Sequence, residues 1–271
     1  MITITSSQNP LIKEIRSLKN RKYREEKKLF FVEGARLVEE ALKEDAPVVR
    51  IFVSQQQLAS KNGYAARLLS GINSRGYETI ILPEKLFKEI SDTESPQGFM
   101  AVIRTRFYNL EEILDKGDLF IILDSLQDPG NMGTIIRTAD AAGFTGVIVS
   151  KGSVDVYNPK VLRSTMGAIF RIPVCFSESI IQAVDFLSSK GIRICAAHLK
   201  GTENYFDVDM MGGTAIIIGN EANGISDEVA SRAHALVKIP MVGKAESLNA
   251  SVAAGLLMYE AVRQRHAAGK R

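Results

Sequence analysis

Three segments of the chain carry side chains that could bind an anion or one another. In the first, residues 127–144, Gly130 and Gly133 predict tight backbone turns before a helix that begins near residue 135. The free N–H groups at the start of such a helix can bind an anion. Arg137 would lie early in this helix, where a cation opposes the helix dipole, so we expect Arg137 to have an anionic partner.

The second segment, residues 216–229, offers a candidate partner for Arg137. A buried apolar strand ends there at Gly219, and Glu221 follows shortly after it. Loops beyond the carboxyl ends of parallel strands commonly bind ligands, which favours a role for this carboxylate. A surface carboxylate without a role is the alternative.

The third segment, residues 239–255, begins a helix rich in small side chains. Ser247 is typical of a helix cap, and Asn249 would lie in the first turn. Capping alone would explain Ser247. In the same way, a plain strand–turn–helix connection would explain the glycines beside Asn131 in the first segment.

Several common types of site are missing from the sequence. Neither GxGxxG nor GxxxxGK[ST] occurs, which argues against a nicotinamide site and a P-loop. The two cysteines and three histidines form no ligand-like cluster, so we expect no disulfide framework and no metal. No signal peptide is evident, and no apolar run approaches the roughly 20 residues that span a bilayer. We therefore expect a cytoplasmic protein with no membrane partner.

Strand and helix signals alternate along the chain and divide it into two α/β parts. We predict a basic helical segment over residues 1–27, a small α/β domain over 28–104, a linker over 105–117 and a second domain over 118–271. In the small domain, β-branched and aromatic residues predict strands at 30–34, 49–54, 77–83 and 98–104. The predicted helices there are 36–44, 56–76 and 84–92.

The second domain has continuous apolar strands, as in a mostly parallel sheet with helices on both faces. The predicted strands are 119–125, 146–150, 172–176, 193–198, 214–219 and 235–241. The predicted helices are 135–143, 161–169, 179–191 and 248–265. In such a sheet the three segments described above would lie at or near the carboxyl ends of strands.

Positive charge is concentrated at the start of the chain. The net charge is +3, whereas residues 1–30 contain eight basic and three acidic residues. The basic residues are Lys13, Arg16, Lys19, Arg21, Lys22, Arg24, Lys27 and Lys28. Such a segment suits a polyanion such as RNA, and a solvated helix face explains it equally well.

Four segments taken together resemble the ordered motifs of the SpoU, or TrmH-like, branch of the SPOUT RNA methyltransferases. They are DPGNMGTIIRTADAAGF (128–144), YNPKVLRSTMGAIFRIPV (157–174), IIIGNEANGIS (216–226) and IPMVGKAESLNASVAAGLLMYE (239–260). The resemblance covers about residues 118–266. KYREEKKLFFVEGARLVEEAL (22–42) and the α/β unit after it resemble the ribosomal-protein-like RNA-binding domain of many members.

The resemblance implies a fold, an activity and a partner. The fold is an α/β domain with a deep trefoil knot, an exception to the general absence of knotted chains. The implied activity is methylation of a ribose 2'-hydroxyl in RNA, with S-adenosylmethionine as the cosubstrate bound in the knot. Members dimerise through the same region. The extra N-terminal domain favours 23S ribosomal RNA over tRNA as the substrate.

Carried over motif by motif, the resemblance also implies which residues act. The catalytic and substrate-positioning set is Asn131, Arg137, Glu221, Ser247 and Asn249. The cofactor-binding set, acting mainly through the backbone, is Ala197, Gly219, Ile239 and Leu248. The RNA-binding set is Arg163 with Arg21, Lys22 and Arg24 of the basic segment.

The implied role of Arg137 needs a physical adjustment. In the family an arginine is proposed to take the proton of the ribose hydroxyl. Arginine stays protonated in proteins, so we expect Arg137 to bind a phosphate and to stabilise developing alkoxide charge.

Some positions depart from the usual wording of the motifs. Val242 and Lys244 stand where many members have Pro and Gly, and Ala222-Asn223 replaces Gly-Glu. These changes leave the loop shape and the RNA target open. The remaining alternatives are tRNA as substrate, methylation of a base, a nucleotide-dependent oxidoreductase, and a non-catalytic RNA-binding protein of the same fold.

Overall fold

The computed structural model describes residues 1–60 and 63–269 and contains two compact units. One unit comprises residues 1–106 and 157–170, and the other comprises 107–156 and 171–271. No helix among the described residues is long and apolar enough to cross a membrane.

Strands and helices alternate through both units. The strands are β1 (Ile2–Thr3), β2 (Leu29–Glu33), β3 (Val48–Ser54), β4 (Thr79–Leu82), β5 (Phe99–Arg104), β6 (Leu119–Leu123), β7 (Gly146–Ser150), β8 (Val174–Ser177), β9 (Arg193–Ala197), β10 (Glu203–Asn204), β11 (Thr214–Ile218) and β12 (Ala235–Lys238). The helices are α1 (Pro10–Leu18), α2 (Arg21–Lys27), α3 (Ala35–Lys43), α4 (Gln55–Leu58), α5 (Gly63–Ser74), α6 (Glu84–Ile90), α7 (Leu110–Leu114), α8 (Pro129–Ala141), α9 (Pro159–Thr165), α10 (Ile180–Ser189), α11 (Asp227–Ala230) and α12 (Ala250–Ala267).

The first unit is built on a five-stranded mixed sheet with the order β1-β4-β3-β5-β2. Side chains alternate across this sheet, so Phe31 faces one core with α1 and α6, and Phe30 faces the other with α3 and α5. The predicted helix over 56–76 is interrupted, because α4 and α5 are separate helices and residues 61–62 lie outside the described residues.

Helix α9 belongs to this first unit although it lies far along the sequence. Leu162 is fully buried in the core that contains Phe30. The ring of Tyr157 stacks on that of Phe30 at a centroid distance of 4.6 Å. Burial of these apolar side chains anchors the segment from 157 to 170 to the sheet.

The second unit is built on a seven-stranded sheet with the order β10-β12-β9-β11-β6-β7-β8, and every pairing is parallel. Its central strands are buried on both faces, which confirms the predicted parallel sheet and the α/β fold class. Helix α10 packs on one face, and α8 and α12 pack together on the other. The trefoil knot stays a prediction of the resemblance.

Helix α8 starts earlier than the sequence predicts. Asp128 caps the helix by accepting a 2.8 Å hydrogen bond from the N–H of Asn131, and Pro129 occupies the first turn. Gly130 and Gly133 are therefore helical, and the prediction of tight turns there was wrong. Arg137 lies about two turns into the helix. The helix dipole no longer requires an anionic partner for it, because the dipole acts on the first turn.

Helix α12 also has a different cap from the one expected. Asn249 is the N-cap, and its Oδ1 accepts hydrogen bonds from Ser251 N at 2.9 Å and Val252 N at 3.3 Å. Ser247 lies outside the helix and is exposed. The capping role predicted for Ser247 therefore belongs to Asn249.

Candidate functional site

The carboxyl ends of four neighbouring strands bring the predicted loops together. In the sheet, β12, β9, β11 and β6 lie side by side, although they are far apart in sequence. Ala197 pairs with Val237, which is followed two residues later by Ile239. Ile218 pairs with Leu123, so Gly219 stands next to the start of the loop that leads to α8.

A continuous chain of side-chain hydrogen bonds joins three of the predicted residues. The Nδ2 of Asn249 donates to Oδ1 of Asn131 at 2.9 Å. The Nδ2 of Asn131 in turn donates to Oε1 of Glu221 at 3.0 Å. The three polar groups come from α12, α8 and the loop after β11, so the chain of bonds ties these elements together.

The carboxylate of Glu221 also caps the backbone before α8. Its two oxygens accept hydrogen bonds of 3.0 Å from the N–H groups of Gln127 and Asp128. Partial burial raises the pKa of Glu221, but the hydrogen bonds from Asn131 and from these two N–H groups outweigh it, so this pKa lies below its ordinary value. The site therefore holds a fixed negative charge at the N-terminus of a helix, where the helix dipole favours one.

The loop that carries Glu221 depends on glycine. A Cβ atom on Gly219 would lie 2.3 Å from the carbonyl carbon of Gly224, so no other residue fits that position. Gly224 has a left-handed φ of +67° and exchanges backbone hydrogen bonds with Asn220. This compact turn gives Glu221 its place beyond the end of β11.

Two of the predicted catalytic residues take no part in the hydrogen bonds that join Asn249, Asn131 and Glu221. The side chain of Arg137 is exposed and forms no hydrogen bond or ion pair with another described residue. It follows Asn131 by six positions, which places the two side chains on different faces of α8. The expected ion pair between Arg137 and Glu221 therefore does not form within one copy of the polypeptide. Ser247 is exposed and likewise bonds to none of the described residues.

The predicted cofactor residues suit a ligand recognised by backbone groups. Ala197 and Gly219 have little or no side chain at the ends of β9 and β11, and Ile239 is half-buried beyond β12. The exposed residues from 242 to 248 form no hydrogen bonds with any described part of the chain, so their N–H and C=O groups can bind a ligand. Leu248 is 36% exposed and adds an apolar surface.

Comparison with known proteins identifies the family. The model of the SpoU rRNA methylase family matches residues 118–259, which include the strand ends and the hydrogen-bonded chain. This chain belongs to that family. The model of the MRM3-like substrate-binding domain matches residues 9–101 of this SpoU-family protein.

Relatives of this SpoU-family protein match almost its whole length. It is 34% identical over 259 residues to the 23S rRNA (guanosine(2553)-2'-O)-methyltransferase RlmP of Bacillus subtilis, with 96% of this chain and 98% of that protein covered. The structure of AviRb from Streptomyces viridochromogenes with AdoMet matches at a TM-score of 0.85 and 32% identity, over 97% of this chain and 100% of that one. An AdoMet-bound rRNA methyltransferase from Sinorhizobium meliloti matches at 0.82 and 32%, over 96% and 97%.

One residue of the predicted RNA-binding set has a structural role in the SpoU-family protein. Arg24 is 5% exposed, and its Nη1 donates to the carbonyl oxygens of Leu18 and Lys19 at 2.7 and 2.9 Å. It therefore caps the end of α1, and its burial removes it from the residues that could contact a phosphate. This prediction was wrong because a run of charges does not reveal which member turns inward.

The other three predicted RNA-binding residues are more accessible. Lys22 is exposed, and Arg21 forms a 2.7 Å ion pair with Glu25 on the same helix. Arg163 forms a 2.7 Å ion pair with Asp92, and its side chain remains 36% exposed. Exposed pairs of this kind contribute little stability, so a phosphate can compete for either arginine.

Sequence reasoning missed three polar residues of the SpoU-type site. Asp128, the N-cap of α8, was missed because the helix was predicted to begin near residue 135, although Asp followed by Pro is a helix-start signal. Gln127 and Asn220 carried no signal, because each side chain binds a backbone carbonyl of a loop that is distant in sequence, Gly152 for Gln127 and Ser125 for Asn220. No group of three or more His, Cys, Asp and Glu side chains in the described parts of the chain could hold a metal ion.

Proposed function

We propose that this SpoU-family protein transfers the methyl group of S-adenosylmethionine to a ribose 2'-hydroxyl of 23S ribosomal RNA. The observation that carries the proposal is the hydrogen-bonded chain of Asn249, Asn131 and Glu221 beside a set of loops with free backbone groups. A non-catalytic RNA-binding protein would have no evident need for this arrangement. The similarity to RlmP favours ribosomal RNA over tRNA.

The cosubstrate brings its own leaving group, so the protein supplies position and charge. When bound, its sulfonium makes the methyl group open to in-line displacement by an oxygen nucleophile. The ends of β9, β11 and β12, at Ala197, Gly219 and Ile239, would hold it through backbone groups. Leu248 would add an apolar contact.

Arg137 acts on the RNA rather than as a proton acceptor. Its guanidinium is exposed and makes no bond with another described residue, so it can bind a phosphate beside the target ribose. As the hydroxyl gives its proton to solvent water, the same cation stabilises the negative charge on the oxygen, which bonds to the methyl carbon while the carbon–sulfur bond breaks. Ser247, exposed in the loop before α12, contacts the RNA or this arginine.

Asn131, Asn249 and Glu221 fix the loops around the reacting groups. The two amides can each be oriented in one way only, because each donates its N–H to an acceptor that the next group supplies. Glu221 holds the start of α8 through two backbone N–H groups. Small displacements of such groups lower the reaction rate strongly, so the three residues must be held rigidly by their hydrogen bonds.

The same domain carries a surface suited to a second copy of the chain. Val252, Leu256 and Tyr259 are 50%, 37% and 50% exposed and recur along α12 at helical spacing. They line a groove of about 490 Å³ together with Tyr205 and Gly255. Exposed apolar patches commonly mark interfaces between proteins. We therefore propose a homodimer that forms through α12.

The dimer would also explain the position of Arg137. Its neighbour Thr138 approaches Gly255 of α12, where a Cβ atom would lie 3.8 Å from the threonine methyl group. Arg137 thus lies beside the proposed interface and away from Asn131 of its own chain. In a dimer it can act at the edge of the partner's site.

Methylation mapping tests the proposed function. Ribosomal RNA from a deletion strain should lack one 2'-O-methyl group that the parent strain has, and the purified protein should restore it with S-adenosylmethionine. Loss of a tRNA methyl group would support a tRNA enzyme. A protein that binds RNA but not S-adenosylmethionine, with no methyl group lost, would support the non-catalytic alternative. We propose the cytoplasm as its location, since ribosomal RNA is the substrate.

A further inference from the structure

The backbone carbonyl of Ser125 accepts hydrogen bonds from two side-chain amides. The Nε2 of Gln127 donates to it at 2.9 Å, and the Nδ2 of Asn220 donates to it at 2.8 Å. Both lone pairs of this oxygen are therefore used. Ser125 itself has a left-handed φ of +57°, a conformation that is unfavourable for a residue with a Cβ and must be held by its surroundings.

Gln127 connects three loops at the carboxyl edge of the sheet. Its Nε2 also donates to the carbonyl oxygen of Gly152, in the loop after β7, at 2.9 Å. Its backbone N–H donates to Glu221, in the loop after β11, at 3.0 Å. Since Gln127 lies in the loop after β6, a single residue holds all three loops.

Asn220 orders the turn that carries Glu221. Its Oδ1 accepts hydrogen bonds of 3.0 Å from the N–H groups of Ala222 and Asn223. With its Nδ2 on Ser125, the side chain joins this turn to the loop before α8. The backbone of Glu221 thus follows a residue whose side chain is fixed at both ends, and its carboxylate bonds to Asn131.

We propose that Gln127 and Asn220 are positioning residues for methyl transfer, acting together through the Ser125 carbonyl to place Glu221 against Asn131. This proposal rests on the proposed function, because it concerns the rate of that reaction. Neither side chain takes part in the Asn249–Asn131–Glu221 chain itself. They act on the geometry of the loop after β6, which leads to Asn131, and of the loop after β11, which carries Glu221.

Two substitutions remove the two donors separately. Gln127→Met keeps the length of the side chain without its N–H groups. Asn220→Asp keeps an acceptor for Ala222 and Asn223 but loses the donor to Ser125. Each should lower kcat about tenfold, the rate equivalent of one hydrogen bond, with the KM for S-adenosylmethionine and for RNA within about threefold of wild type. A side chain that only supported the fold would not separate kcat from KM in this way.

The double variant tests whether the two residues act through one carbonyl. Once either donor is lost, Ser125 should leave its held conformation, so the second loss should add little. We expect the kcat of the double variant to lie within about threefold of the slower single variant. A loss equal to the product of the single losses would show independent effects and would overturn the proposal.

Hydrogen exchange gives a readout that does not depend on the reaction. In both single variants, without cosubstrate or RNA, the backbone N–H groups of Gln127 and Asp128 should exchange faster, because Glu221 is no longer held against them. Gln182→Met is the control, since the Gln182 side chain is exposed and makes no hydrogen bond to a described residue. Unchanged exchange in both variants would overturn the proposal, whereas an inactive wild-type protein would refute only the proposed function.

Discussion

The side-chain amide of Asn249 donates a 2.9 Å hydrogen bond to the side-chain oxygen of Asn131, across 118 residues of sequence. The same Asn249 is the N-cap of α12 through its Oδ1. One residue thus starts a helix with one end of its amide and orders the proposed active site with the other. These two roles can be separated by substitution.

Asn249→Asp and Asn249→Ala should differ in stability but not in activity. Aspartate retains the capping oxygen and loses the N–H donor, so we expect wild-type stability and a slow enzyme. Alanine loses both, so we expect a slow enzyme that is also less stable by about 1 kcal/mol. Urea unfolding and methyl-transfer rates check this. An active Asn249→Asp variant would contradict the role given to the bond with Asn131.

Arg137→Ala should greatly slow methyl transfer and leave cosubstrate binding intact. Removing a charge that stabilises a developing oxyanion commonly lowers the rate by about a hundredfold to a thousandfold. Calorimetric titration with S-adenosylmethionine and a transfer assay measure the two properties. Arg67→Ala, at another exposed arginine that makes no ion pair with a described residue, is the control. Joint loss of cosubstrate binding and fold would refute this division of roles.

Glu221→Gln should change how stability depends on pH. The lowered pKa of Glu221 means that its ionised form stabilises the folded state above the ordinary carboxyl value of 4.5. That contribution is lost as the pH falls through the lowered pKa. We therefore expect the free energy of unfolding of the wild-type protein to decrease more steeply on acidification than that of Glu221→Gln. Urea unfolding between about pH 3 and pH 6 tests this.

The control for this pH series is Glu246→Gln. Glu246 is exposed and makes no hydrogen bond to a described residue, so its removal should leave the slope unchanged. Parallel curves for the wild-type protein and Glu221→Gln would show that the hydrogen bonds to this carboxylate do not stabilise the fold.

Leu256→Asp should convert the proposed dimer into a monomer. A carboxylate at this exposed apolar position of α12 would have to be desolvated in the interface, which is unfavourable. Sedimentation velocity gives the mass of each species. Leu58→Asp places the same change at an apolar side chain that is 44% exposed on the other unit, and it should leave the dimer intact. A wild-type protein that sediments as a monomer would contradict the proposed interface.

Arg24→Ala and Lys22→Ala should have opposite effects on stability and RNA binding. Loss of Arg24 leaves two carbonyl groups at the end of α1 without their donor, which should cost about 1 to 3 kcal/mol of stability. Loss of the exposed Lys22 should leave stability unchanged, weaken RNA binding and lower the salt dependence by about one counterion. Urea unfolding and salt-dependent binding separate the two outcomes. Equal loss of RNA affinity without loss of stability in Arg24→Ala would contradict its structural role.

Local sequence signals determined most of the helices and strands. The basic segment over residues 1–27 is mostly helical as predicted, and its first helix, α1, begins at Asn9-Pro10, a local helix-start signal, with the Asn9 side chain accepting a 2.9 Å hydrogen bond from the N–H of Leu11. The continuous apolar runs of the second domain became its central parallel strands, because burial on both faces requires apolar residues throughout. The short strands β1 and β10 were missed, since two residues are too few to show a pattern.

The sequence did not predict the starts of α8 and α12 correctly, because two local signals compete at each. Asp128-Pro129 and the glycines after it are compatible with a turn and with the first turn of a helix. Ser247 and Asn249 are both good caps, and the structure uses the second. In each case packing against the rest of the unit decided between conformations of similar local free energy.

The sequence by itself determined which residue types stand at the carboxyl ends of the strands, because strand periodicity and glycine positions are local properties. Only the tertiary structure decided which of them meet. Asn249, Asn131 and Glu221 come together because β11 and β6 are neighbours in the sheet and α12 packs on α8. The tertiary structure also buries Arg24 and leaves Arg137 exposed. Hydrogen bonds act over about 3 Å, so they follow neighbours in space, which the order of the chain does not reveal.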